Sequence, residues 1–137
     1  MDYNTTNTAK QYYDVEVGTG QRGYEETMKI GLMYVSDYGY GASPENWTTA
    51  LYSNNNSTNT DNNWMFRGLT EWTISRRSGH AYNTFGVYST GYVLSYSVNS
   101  NFGVRPSFYL ESSVVLESGD GTEQNLSLIH ISEPTRP

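Results

Sequence analysis

The chain contains no cysteine. That removes disulfides, thiolate metal sites and thiol catalysis together, and it fits either a reducing cytosol or a bacterial exterior that does without bridges. Charge is scarce as well: Asp, Glu, Lys and Arg make up 16% of the 137 residues, where soluble domains usually carry about 25%. What charge there is leans acidic, with 14 Asp plus Glu against 8 Lys plus Arg and a net charge of −6. Such a chain has no positive field to collect phosphates, so nucleic acid is excluded as a partner and anionic membrane is disfavoured. No apolar run approaches the ~18 residues of a membrane span, and Met1-Asp2-Tyr3-Asn4 does not begin a signal peptide. Export would therefore rest on a signal upstream of Met1, and the chain is expected to be truncated at both ends.

Asn, Ser, Thr, 13 Gly and 13 Tyr take the place of the missing charge. A polar surface of low charge points to a secreted or cell-surface protein. The length suits one α+β domain over 1–125, because a chain near this size buries roughly two thirds of the surface it exposes when unfolded. The segment Leu126-Ser127-Leu128-Ile129-His130-Ile131-Ser132-Glu133-Pro134-Thr135-Arg136 resembles the conceptual translation of a sequencing-library adapter. Residues 126–137 are accordingly expected to be non-native and are set aside from functional reasoning. The rival reading is a natural strand from Leu126 to Ile131.

Periodicity divides the remainder. Tyr13-Asp14-Val15-Glu16-Val17 alternates as a short edge strand, and Tyr24 to Lys29 holds a few helix formers. Ile30-Gly31-Leu32-Met33-Tyr34-Val35 reads as a buried strand running into a turn at Ser36-Asp37-Tyr38-Gly39. A helix is expected from Ser43 to about Tyr52, with Ser43 as cap, Pro44 at the first helical position and Glu45 at the positive end of the dipole. The apolar-free tract Ser53 to Asn63 reads as a surface loop. Glu71 to Arg76 alternates as a strand, and Phe85 to Tyr88 and Tyr92 to Val98 flank Ser89-Thr90-Gly91 as a hairpin. Val104 to Leu110 follows as an edge strand around Pro106, and Val114 to Leu116 as the last. The sum is α+β: one or two short helices, then antiparallel strands.

The runs Ile30 to Tyr40, Asn63-Trp64-Met65-Phe66, Glu71 to Arg76 and Gly103-Val104-Arg105-Pro106-Ser107-Phe108-Tyr109-Leu110 resemble an uncharacterised C-terminal domain of prepilin-like surface proteins of gut Firmicutes. The likeness spans about Lys29 to Thr122. The order of Trp-bearing strand, small-residue hairpin and Val-Arg-Pro strand is also similar to C-type-lectin-like domains of the formylglycine-generating type. The first likeness implies display at the cell surface and the second a C-type-lectin-like fold. Formylglycine generation itself needs cysteines and is not carried over.

Asp37, Glu71 and Arg105 each lie in or beside an apolar run, where an unpaired charge is costly. Arg105 is expected to be buried and to bridge Asp37 or Glu71. A glycosidase-like acid pair of Asp37 and Glu71 has no support in their spacing. His80 is a loop histidine without a second ligand, and the Asn-rich tract has only Asp61 where a calcium loop gathers several carboxylates. No metal and no cofactor are expected. Trp64 and Trp72 read as core, while Tyr38, Tyr40, Tyr88 and Tyr96 are the aromatic residues expected at the surface as a binding face. The expected function is a non-catalytic extracellular module that binds glycan or protein through Tyr and Asn loops. A self-packing structural subunit is the alternative, and an enzyme the remoter one.

Overall fold

Thr8 and Gln11 close a reciprocal cap, the Gln11 N–H donating to the Thr8 hydroxyl and the Thr8 N–H to the Gln11 side chain. From that start runs helix α1, Ala9–Glu16, which turns Ala9 and Tyr12 inward and leaves a Lys10–Asp14 ion pair in solvent. The computed structural model that shows this describes residues 5–17, 27–52, 63–110, 114–119 and 128–130. The edge strand expected at Tyr13 to Val17 is thus the last part of a helix, because the cap and the three-residue spacing of Ala9 and Tyr12 outweigh a five-residue alternation.

The run Ile30 to Val35 is not one buried strand. Only Gly31–Leu32 pair, as β1, and Ile30 is 60% exposed. Val35 opens a second helix, α2, Val35–Tyr40. Its first N–H groups find fixed acceptors: the Glu16 carboxylate takes the N–H of Val35 at 3.2 Å and of Ser36 at 3.1 Å, and the Asp37 carboxylate takes that of Tyr34 at 2.8 Å. Ser75 completes the junction, its hydroxyl donating to Glu16 and accepting from Val35. The last residue of α1 therefore caps α2 and ties both helices to the sheet. The helices touch at Gly39, where a Cβ would stand 2.6 Å from the Ala9 methyl.

The helix expected from Ser43 shrinks to one 3₁₀ turn, Pro44–Asn46, and Ser43 makes no side-chain cap. The Trp47 indole N–H turns back to the Ala42 carbonyl, and the Leu51 N–H is drawn to the Asn7 carbonyl, so the chain leaves the helical path.

Strands β2 (Glu71–Arg76), β3 (Asn83–Val87) and β4 (Val93–Ser97) form an antiparallel sheet in that order. Rows run Glu71–Val87–Val93 and Trp72–Gly86–Leu94, and Thr84 faces Tyr96. Thr73, Ser75, Phe85, Val87 and Val93 point inward. There Phe85, Val87 and Val93 join Tyr12, Met33, Val35, Tyr38, Leu51 and Met65 in the core, with Tyr12 edge-on to Phe85. The two buried hydroxyls of this face are satisfied by backbone or side chain, Thr73 donating to the Phe85 carbonyl. The strand expected from Val104 to Leu110 is reduced to β5, Pro106–Ser107, which pairs with β1; Val104, Phe108 and Leu110 are exposed.

The chain forms two compact units, Met1–Ser107 and Phe108–Pro137. In the second unit β6 (Val115–Ser118) pairs antiparallel with β7 (Leu128–His130). Within the alternating run, Leu128–His130 pair as a strand. Among the described residues, two α-helices and antiparallel sheets make the class α+β. No helix among the described residues is long and apolar enough to cross a membrane.

Replacing Glu16 by Ala leaves the Val35 and Ser36 N–H groups and the Ser75 hydroxyl short of their shared acceptor. Urea denaturation is expected to show a loss of about 2 kcal/mol, the scale of a lost cap plus an orphaned buried donor. Asp14→Ala, on the exposed side of the same helix, changes stability by less than about 0.5 kcal/mol.

Candidate functional site

The outer face of the three-stranded sheet carries aromatic side chains where a solvent face usually carries charge. Strand alternation sends Trp72 of β2, Gly86 of β3, and Leu94 and Tyr96 of β4 to that side, with Tyr88 and Tyr92 continuing it beyond the strand ends. The Tyr88 N–H donates to the Tyr92 carbonyl at 2.8 Å, and the Gly91 N–H returns to Tyr88 to close the turn.

The rings form a continuous strip. Tyr52 stands edge-on to Tyr92 at 5.9 Å, Tyr92 stacks on Tyr88 at 4.9 Å, and Tyr88 stacks on Tyr96 at 6.3 Å. Phe102 then meets Tyr96 edge-on at 4.7 Å and lies against Trp72 at 4.4 Å. Tyr88 thus stacks with two rings, Tyr92 at the hairpin turn and Tyr96 on β4. Phe102 crosses the sheet at Gly86, where a Cβ would come 3.5 Å from its ring and 2.9 Å from the Glu71 carbonyl. All six rings are half-buried. The strip thus offers ring edges and phenol rims over a rigid aromatic base.

One end of the strip is pinned by an ion pair. Arg105 donates from Nε to Glu71 Oε1 at 3.1 Å, from Nη2 to Glu71 Oε2, and from Nη1 to the Met65 carbonyl at 2.8 Å. Glu71 is buried and Arg105 half-buried. The parallel bridge Glu71↔Gly103 runs beside the pair, with the Trp72 N–H on the Gly103 carbonyl and the Gly103 N–H on the Thr70 carbonyl. This fork fixes the segment that carries Phe102 against β2.

The residues singled out from the sequence separate into three places. Glu71 and Arg105 come together, but Asp37 does not join them: it is exposed and holds the first turn of α2. Tyr38 is not a surface residue. It is 0% exposed, and its hydroxyl donates to the Gly91 carbonyl at 2.8 Å, because α2 turns it toward the core. Burial pushes its phenol above the ordinary value of 10.0. Tyr40 is half-buried on another surface, edge-on between Tyr13 and Trp47. Only Tyr88 and Tyr96 of the four tyrosines lie in the strip.

Trp64, expected in the core, is 72% exposed, while Trp72 is half-buried in the strip. Tyr52, Tyr92 and Phe102 were not legible as site residues, although the two-residue spacing of Tyr92, Leu94 and Tyr96 points to one strand face. His80 is exposed, and no three His, Asp or Glu among the described residues are grouped to hold a metal. Asp61 and most of the Asn-rich tract lie outside the described residues.

Beside the strip, Ile74 of β2 joins Met28, Ile30, Leu32, Val104 and Pro106 around an open apolar groove of about 340 Å³.

Arg105→Leu strands the Glu71 carboxylate in a buried position, and a cost of about 2–4 kcal/mol is expected in denaturant titrations, below the fully buried case because Arg105 still touches solvent. Adding Glu71→Gln should recover a substantial part of it. Equal stability of the single and double variants would contradict the pairing. Set against protein-family models, curated proteins and solved structures, the chain matches none of them.

Proposed function

We propose that this domain is a non-catalytic, extracellular binding module of a bacterial surface or pilin-like protein, and that it holds glycan or protein on the tyrosine strip. The observation that carries the reading is the continuous path Tyr52–Tyr92–Tyr88–Tyr96–Phe102–Trp72 on the solvent side of the sheet. Half-exposed tyrosine suits recognition because it supplies area and hydrogen bonding while losing few rotamers. Here the rings already support one another, so little ordering cost remains to be met on binding. With Tyr88 stacked against Tyr92 and Tyr96, a ligand meets ring edges and hydroxyls of a strip already packed on itself.

The carboxylates nearest the sheet are engaged in holding the fold: Glu71 by Arg105, Glu16 and Asp37 at the start of α2. That favours binding over acid–base catalysis. The order of Trp72 strand, short hairpin and Val104-Arg105-Pro106 supports a C-type-lectin-like variant of the α+β class, and low charge with abundant Asn, Ser, Thr and Tyr supports display outside the cell.

The test is a glycan and surface-protein array followed by titration of the best hit. Binding is expected to survive chelator and to vary little between low and high salt, because neither a calcium cage nor counterion release contributes. The Tyr88→Ala, Tyr96→Ala double variant should bind at least about tenfold more weakly, the loss typical of aromatic anchors. Binding abolished by chelation, unchanged binding in the double variant, or turnover of any hit would contradict the reading.

A further inference from the structure

Among the described residues strand β4 ends the sheet, and its outer edge lacks the charge, proline and bulge that often keep an edge from pairing. Val93–Ser97 contains no charge and no proline, and its five pairs with β3 run in unbroken register from Asn83↔Ser97 to Val87↔Val93, without a bulge. Its bonding direction is set by its neighbours. The Tyr88 N–H meets the Tyr92 carbonyl and the Val98 N–H meets the Tyr82 carbonyl, so even-numbered residues bond toward β3. Val93, Ser95 and Ser97 therefore turn their N–H and C=O groups away from it. The Val93 N–H is taken by the Leu51 carbonyl, and the Ser97 carbonyl accepts from the Ser100 N–H. Among the described residues, the N–H and C=O of Ser95 and the N–H of Ser97 have no backbone partner.

We infer that this edge pairs with the same edge of a second copy, antiparallel about a two-fold axis at Tyr96. An antiparallel edge is self-complementary, which a two-fold contact requires. Leu51 covers the edge at Val93 and confines pairing to its second half. Ser95 then lies opposite the copy's Ser97. Each Ser95 N–H meets a Ser97 carbonyl, whose second lone pair is open, and each Ser97 N–H meets a Ser95 carbonyl. The seam is uncharged, which matters for two chains that each carry −6. Tyr96 of each copy comes to the axis on the outer face, so two strips join into one surface. A second copy fits better than an unrelated peptide because the same short stretch supplies both donors and acceptors in the matching order. The inference does not depend on what the strip binds.

Sedimentation equilibrium of the whole chain tests it. The wild type should show a concentration-dependent monomer–dimer equilibrium. Ser95→Pro removes an outward N–H without touching the β3 ladder, and Ser97→Lys places a charge at an exposed edge position. Each should weaken dimerisation at least about tenfold, with far-UV circular dichroism and melting temperature retained; Ser97→Lys decides if Ser95→Pro fails to fold. Ile30→Ser, in the apolar groove, should leave the equilibrium unchanged. A wild type that stays monomeric to about 1 mM, or a dimer that survives both edge variants or is lost with Ile30→Ser, overturns the inference.

Discussion

The phenol of Tyr38 is fully buried and donates to the Gly91 carbonyl at 2.8 Å, joining α2 to the turn between β3 and β4. That turn sets the spacing of Tyr88 and Tyr92, and with it the stacking from which the outer strip is built. The backbone carbonyl of Tyr38 also receives the Asn63 amide, whose own carbonyl holds the Met65 N–H. Met65 in turn offers its carbonyl to Arg105. Both ends of the strip, the hairpin turn and the Arg105 fork, thus trace back through a few hydrogen bonds to one buried tyrosine. A buried hydroxyl without a partner would cost as much as several such contacts contribute, so the Gly91 carbonyl holds Tyr38 in one position.

The sheet divides its labour by alternation. Inward, Phe85, Val87 and Val93 and the satisfied hydroxyls of Thr73 and Ser75 close the core over α1 and α2; outward, Trp72 and Tyr96 stand half-exposed beside Gly86 and Leu94. Position 86 must be glycine because a Cβ there would come 2.9 Å from the Glu71 carbonyl, and the Phe102 ring packs over the space it leaves. The helices contribute to the site only indirectly. They bury the inner face, and Glu16 locks α1, α2 and β2 into one junction.

The sheet was the most legible part of the chain. Glu71 to Arg76 alternates over six residues with Trp, Thr and Ile, and the strand occupies those positions; the Ser89-Thr90-Gly91 hairpin forms where its small residues lie. The buried charge logic found Glu71 and Arg105, since a carboxylate in an apolar strand needs a partner. The early part is less legible because its signals compete. Thr8 and Gln11 carry a capping box, but Tyr13 to Val17 also satisfies a two-residue period, and only tertiary contacts of Ala9 and Tyr12 decide between them. Ile30 to Val35 is apolar enough for a strand, yet the acceptors that start a helix at Val35 come from Glu16 and Ser75, which are distant in sequence. Tyr38 is misleading for the same reason: as part of a turn it would face solvent, and as part of α2 it faces the core. The strip itself depends on register, which decides that Trp72, Gly86 and Leu94 share a row.

Burial of Tyr38 has a direct consequence at high pH. Its folded phenol is held above the ordinary value of 10.0, so the folded state keeps a proton that the unfolded state releases as pH rises past that value. Stability from this group is complete below the unfolded value and is lost above it, with a limiting slope of about 1.4 kcal/mol per pH unit. The decisive measurement is urea denaturation between neutral pH and pH values above that of free tyrosine, for wild type and Tyr38→Phe. The variant, lacking the hydroxyl bond, should begin less stable by about 1 kcal/mol and then lose stability less steeply than wild type, so that the gap narrows as pH rises. Parallel curves for the two proteins would place Tyr38 in solvent and contradict the account.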